Sequence, residues 1–331
     1  MKKYILSLFV TLFFTVQMLP VTAHEKDPSD PLAEKTKSYS KSYSIGNGDY
    51  VSLNNQFGEL KINTWAKNEI KVDVVITAKA NTDEAAQRIL DNIYIDDSKD
   101  GNEIEFKTKM KNDKMNWNNG NKKDYKEMGM NINYVVYLPA NTTLNAVNQF
   151  GPMTVPDYKG QVTLVSKFGS LTTGTLSNVK EVNVEFGEAW IDAVNGGRVV
   201  VKFSRGSIKS MSGTVEARFE FCDKMRVNVD NNVKDLNIRS SYSNLYINTA
   251  TNLSSNIYVK TSFGEFTNKT NFDLKKQGSD DEKYGPKFDK QYNGNAGAGA
   301  NRLKVNADFG DVIMGHNLDV DFSSKKKQAK I

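Results

Sequence analysis

The chain has 331 residues, and its 44 basic and 39 acidic side chains leave a net charge of +5, too mild to point to nucleic acid. One cysteine (Cys222) rules out an intramolecular disulfide framework and a multi-cysteine zinc site; two histidines, His24 and His316, rule out a histidine-rich metal cluster. A mean hydropathy of −0.54 with abundant Gly, Phe and Tyr describes a soluble chain of strands and tight turns, lacking the side chains of most familiar enzymes, for which no cofactor is expected.

The amino terminus reads as an export signal over residues 1–23. Lys2 and Lys3 precede the apolar run from Tyr4 to Pro20, and Val21-Thr22-Ala23 offers the small residues of a cleavage site before His24. The strongly apolar part, Ile5 to Val16, is too short for the ~20 residues that span a bilayer. No cysteine follows the cleavage site, so a lipid anchor is not expected, and no second apolar segment approaches spanning length. The expected mature protein is exported: periplasmic, cell-surface or secreted.

Residues 24–43 are polar and carry Pro28 and Pro31, as in a flexible leader. Residues 44–145 form a β-rich amino-terminal portion with one short helix. Ile70 to Thr77 alternates as a strand; Thr82 caps a helix over 82–91, with Ala85, Ala86, Ile89 and Leu90 on one face. The loop Asp96 to Gly101 resembles a calcium loop, but Lys107 stands where a bidentate Glu is required, so an Asp-Gly hairpin turn explains it better. Residues 110–130 form a polar, Asn- and Lys-rich loop insertion. Its Trp117 and Tyr125 suit either a partner-binding lip or a disordered insertion.

From residue 146 to 322 an aromatic step recurs, usually followed by Gly. It comprises Phe57 in the amino-terminal portion, then Phe150, Phe168, Phe186, Phe203, Phe221, Tyr242, Phe263 and Phe309. From Phe150 the spacings are 18, 18, 17, 18, 21, 21 and then 46 residues. Such a period means stacked architecture. Apolar residues alternate before each aromatic, as in Val182, Val184 and Val199, Val201, and the next inward residue falls at +3, as in Leu171 and Ala189. That slip marks a corner or bulge at the glycine. The predicted fold is all-β: a right-handed parallel β-helix-like solenoid of ~18–21-residue rungs, with the aromatics stacked inside. A sandwich of hairpins has no reason to repeat Phe-Gly in one phase.

The residue before each aromatic runs Gln149, Lys167, Glu185, Lys202, Glu220, so stacked rungs would carry alternating charges that resist a slip of register. An insertion interrupts the repeats at 267–302, and its Gly-Ala run fails as a phosphate cradle because it does not join a strand to a helix. Residues 323–331 form a basic tail.

The segment Asn55 to Trp65, with its pattern Gly58, Leu60, Ile62, Trp65, then Leu138-Pro139-Ala140-Asn141 leading into the ladder, resembles the bacterial "putative adhesin" family over about residues 45–320. These are exported domains similar to the heads of auto-transporter adhesins. The resemblance implies a right-handed β-helix-like fold, in keeping with the hand of parallel crossovers, and no catalytic residues to carry over. Phe or Tyr before the corner is a departure, since many relatives have a small residue there. Three functional readings follow. The first is a non-enzymatic adhesin-like protein binding a surface polymer or protein along a solenoid face, with aromatics such as Trp190 as contact residues. The second is a periplasmic accessory or sensor in envelope maintenance. The third is a polysaccharide lyase or hydrolase, for which Lys167, Glu185, Lys202 and Glu220 would have to form the cleft. The partner expected is an envelope protein or polysaccharide.

Overall fold

The computed structural model describes residues 32–111, 128–278 and 288–323. Among the described residues, 21 strands join in one hydrogen-bonded sheet with a single helix, and no helix is long and apolar enough to cross a membrane. The signal segment 1–23 lies outside the described residues.

The amino-terminal portion contributes β1 (Ala33–Ser44), β2 (Tyr50–Gln56), β3 (Leu60–Trp65), β4 (Glu69–Ala80), α1 (Asp83–Asn92), β5 (Ile93–Asp100) and β6 (Glu103–Met110). Residues 24–43, expected as a flexible leader, are a strand from Ala33 onward. β1 runs antiparallel along β4 for its whole length. It is polar because only part of it faces the interior: Tyr39 and Tyr43 pack against the core and donate their hydroxyls to Asp97 at 2.7 and 2.5 Å. The helix forms where the apolar spacing predicts it. Thr82 Oγ1 accepts from Ala85 N at 3.1 Å, Asp83 and Glu84 occupy the positive end, and Ala85, Ala86, Ile89 and Leu90 are buried. The β5–β6 hairpin forms as expected, but its turn is Gly101-Asn102, one residue on from the expected Asp-Gly pair: Asp100 is still paired with Glu103, and Gly101 takes φ 54°.

The remaining strands are β7 (Gly129–Pro139), β8 (Thr143–Gln149), β9 (Met153–Val155), β10 (Tyr158–Lys167), β11 (Ser170–Glu185), β12 (Glu188–Lys202), β13 (Arg205–Glu220), β14 (Met225–Ser241), β15 (Leu245–Thr249), β16 (Ser255–Ser262), β17 (Phe266–Lys269), β18 (Lys275–Gln277), β19 (Asp289–Ala296), β20 (Asn301–Asp308) and β21 (Val312–Gly315). Each repeat adds one layer to two parallel rows. Before the aromatics, Gln149, Lys167, Glu185, Lys202, Glu220 and Ser241 stand in register. After them, Met153, Leu171, Ala189, Gly206, Met225 and Leu245 do the same. Inward residues such as Val182, Val184, Val199, Val201, Ile238 and Val259 are buried, each contributing about 1.5–3 kcal/mol. Asn55 and Asn148 are also fully buried, where Asn55 Nδ2 donates to Asn148 Oδ1 at 3.0 Å and Asn148 Nδ2 donates to Gly58 O at 3.1 Å.

Chain order and layer order part company near the end. Asp308 is in register with both Ser241 and Ser262, so β20 lies between β14 and β16, and β21 lies between β15 and β17. The span 267–302, expected as an insertion, holds most of β17 and all of β18 and β19. β19 pairs antiparallel with β16, bringing Phe288 up to the layers.

Candidate functional site

All nine repeat aromatics adopt the left-handed conformation, with φ between 49° and 62°. Their rings form one continuous column in the order Phe57, Phe150, Phe168, Phe186, Phe203, Phe221, Tyr242, Phe309, Phe263. Neighbouring centroids lie 4.7–5.2 Å apart with planes within 6° of parallel. Phe288 adds a tenth ring, 4.5 Å from Phe263 and tilted by 20°. The column is on the outside. From Phe150 to Phe309 the rings are 45–53% exposed, which overturns the expected interior stack. The physical reason is the corner itself. An extended residue would continue the inward alternation of Val182 and Val184, but a positive φ at Phe186 turns its Cβ to the opposite face, and alternation resumes at Ala189.

Where glycine follows the aromatic, it allows close approach of the layers rather than a turning φ. A Cβ on Gly169 would lie 2.0 Å from Gly151 O, and one on Gly187 would lie 1.8 Å from Gly169 O. Three layers carry a small side chain there instead and use it. Ser204 Oγ accepts from Gly187 N at 3.0 Å and donates to Lys202 O at 2.6 Å; Ser243 Oγ accepts from Cys222 N at 2.9 Å. Cys222 is buried, which pushes its thiol up. The aromatic N–H groups continue the ladder, as in Phe168 N to Glu185 O at 3.0 Å, so each corner stays hydrogen-bonded. Holding a non-glycine residue at positive φ costs on the order of 1 kcal/mol or more. A stacked neighbour returns about 0.5–1.5 kcal/mol.

Two charged rows flank the rings. On one side Lys167 pairs with Glu185 at 3.3 Å and Lys202 with Glu220 at 3.1 Å. On the other, Arg205 pairs with Glu188 at 2.6 Å. Trp190 Nε1 donates to Glu188, and this bond, with Arg205, holds the Glu188 carboxyl below the usual range. Burial pushes Glu220 up, but Lys202 and Arg218 outweigh it and leave its carboxyl low. A carboxylate held this way is a poor proton donor near neutrality, which counts against a general-acid role. Among the described residues, no group of three or more His, Cys, Asp and Glu is placed to hold a metal ion.

Trp190, expected as a contact residue on an exposed face, is half-buried. It stands edge-on to Phe322 with centroids 5.1 Å apart. The carboxy-terminal segment lies across several layers: Asn248 Nδ2 donates to Leu318 O at 3.3 Å, Lys224 Nζ to Asp321 O at 2.7 Å, and Arg205 to Phe322 O at 2.8 Å. Trp117 and Tyr125 lie outside the described residues, as do residues 324–331 of the basic tail. The tenth ring, Phe288, has no place in the repeat spacing. The signal that could have revealed it is an aromatic at the lip of the polar strand β19.

No family model matches the chain, and no curated protein does. Solved structures similar to it include a "putative cell adhesion protein" from Clostridium sporogenes at 14% identity, covering 85% of this chain and 100% of that one, with a TM-score of 0.26. A "putative adhesin" from Bacteroides fragilis is similar at 9% identity, covering 84% and 97%, with a TM-score of 0.38. A "putative lipid binding protein" from Parabacteroides distasonis is similar at 13% identity, covering 84% and 96%, with a TM-score of 0.28.

Proposed function

We propose that this is an exported, non-enzymatic, adhesin-like protein, a right-handed parallel β-solenoid whose ring column is the contact face for a partner in the cell envelope. The observation that carries the reading is the exposed column. Scattered surface phenylalanines are ordinary, whereas a contiguous apolar stripe, roughly 40 Å long at the ~4.8 Å strand spacing, marks an interaction surface. The solenoid is supported by parallel register between segments 17–21 residues apart in the chain. Of the two partner classes, the column favours a protein over a polysaccharide. Sugars bind aromatic rings through their faces, and stacking has used those faces, leaving ring edges that suit apolar side chains.

The test replaces rings without disturbing corners. Asn tolerates positive φ better than other non-glycine residues. The quadruple variant Phe168→Asn, Phe186→Asn, Phe203→Asn, Phe221→Asn should lose at least about tenfold (~1.4 kcal/mol) in binding to envelope preparations, while its circular dichroism remains that of the parent. Unchanged binding would overturn the reading.

A further inference from the structure

The charges beside the two central rings are segregated by layer. The Phe186 layer is acidic on both sides (Glu185, Glu188), and the Phe203 layer is basic on both sides (Lys202, Arg205). The next layer out on each side carries Lys167 at Phe168 and Glu220 at Phe221. Along the row before the rings the order is therefore plus, minus, plus, minus, and reversing that row inverts every sign. A surface with this property complements itself.

We propose that the ring column pairs with the ring column of a second copy of this chain, about a two-fold axis that runs along the strands and passes between the Phe186 and Phe203 layers. This rests on the reading of the column as a contact face and names its partner. Rotation about that axis reverses the order of layers and keeps the strand direction. Glu185 then faces Lys202 of the second copy, Glu188 faces its Arg205, and Lys167 faces its Glu220. The competing two-fold, along the column, reverses the strands instead. It sets Glu185 against Glu188 and Lys202 against Arg205, like against like at both central layers. The charges thus select one arrangement. They serve orientation more than affinity, since each is already paired within its own chain and partly solvated.

The area is adequate. The axis matches eight rings of one copy, Phe57 to Phe309, with the same eight of the other. Seven of these rings are close to half exposed and Phe57 is partly buried, so at about 200 Å² each they offer roughly 700 Å² per copy, near the ~800 Å² per partner of a standard stable interface. The rings supply the apolar centre and the charged rows the rim.

Sedimentation of the purified, exported chain over a wide concentration range tests this. The parent should sediment as a dimer, and the Phe186→Asn, Phe203→Asn variant as a monomer with the parent's circular dichroism. Two charge variants make the test independent of ring loss. Glu185→Lys with Glu188→Lys makes both central layers basic; Lys202→Glu with Arg205→Glu makes both acidic. Each should be monomeric alone, and an equimolar mixture should give a heterodimer. A parent that stays monomeric at every concentration overturns the proposal, as does a dimer indifferent to the ring and charge changes. If that monomer still binds envelope material through its rings, self-pairing has failed and the contact-face reading stands. If ring replacement affects neither, both have failed.

Discussion

At the scale of the residue, the corner divides one task between two neighbours. The aromatic takes the unfavourable φ and the next residue takes the crowding, which is why a Phe-Gly pair recurs although glycine is the residue that turns most easily. The two positions should therefore answer substitution differently. Gly187→Ala places a Cβ 1.8 Å from the backbone oxygen of Gly169, and the same close contact recurs between Gly169 and Gly151 on the layer below. It should cost about 3 kcal/mol in denaturant unfolding, the upper end for overpacking. Phe186→Asn loses two stacked neighbours and relieves backbone strain, so its net cost should stay within about 1 kcal/mol. Equal costs at the two sites would contradict this division.

At the scale of the element, strand register is held by alternation of sign as well as by the inward apolar residues. Glu185 stands in register with both Lys167 and Lys202. Exchanging only Lys167 and Glu185 would thus set a new lysine beside Lys202. The change that keeps the alternation is the full reversal of Lys167, Glu185, Lys202 and Glu220, at the loss of the Arg218–Glu220 pair, whereas Lys167→Glu alone puts two carboxylates side by side. The single change should lower the melting temperature measurably, by the ~1 kcal/mol or less typical of such pairs. The fourfold reversal should recover most of the loss, and identical melting of the two variants would remove charge from the account of register. The flanking strands have a different role. β1, β5 and β19 pair antiparallel with β4, β6 and β16 respectively, so each covers a strand edge that could otherwise template further pairing.

At the scale of the whole molecule, a proposed solenoid makes a strong claim: layers are interchangeable, since each contacts only its neighbours. Deleting residues 169–203 removes two complete layers, joins Phe168 to Ser204 and leaves Lys167 beside Glu220. That variant should fold cooperatively, with strand content reduced in proportion. Deleting residues 187–203 removes one layer and brings Glu185 against Glu220, so it should melt lower than the two-layer deletion despite being longer. An unfolded two-layer deletion would show that the layers are not independent modules and would count against the solenoid.

The period of the aromatics, the alternation before them and the cap at Thr82 were legible from sequence because each is a local signal. Near-constant spacing implies stacking, period two implies a strand face, and a capped amphipathic run implies a helix. From these the all-β class and the position of the helix follow. Three things were not legible, and each depends on contacts between distant residues. Whether the rings point in or out turns on the sign of φ at one residue per layer, which spacing does not encode. The placement of β20 between β14 and β16 follows from where a long excursion returns, so Phe309 precedes Phe263 in the column although it follows it in the chain. And the polar strands β1 and β19 carry little apolar pattern of their own, since their pairing is supplied by the edges they cover. Sequence by itself determined that layers stack; only the tertiary structure decided that the stack shows its aromatic edge to the solvent, because the face a corner residue takes is set by the backbone packed above and below it.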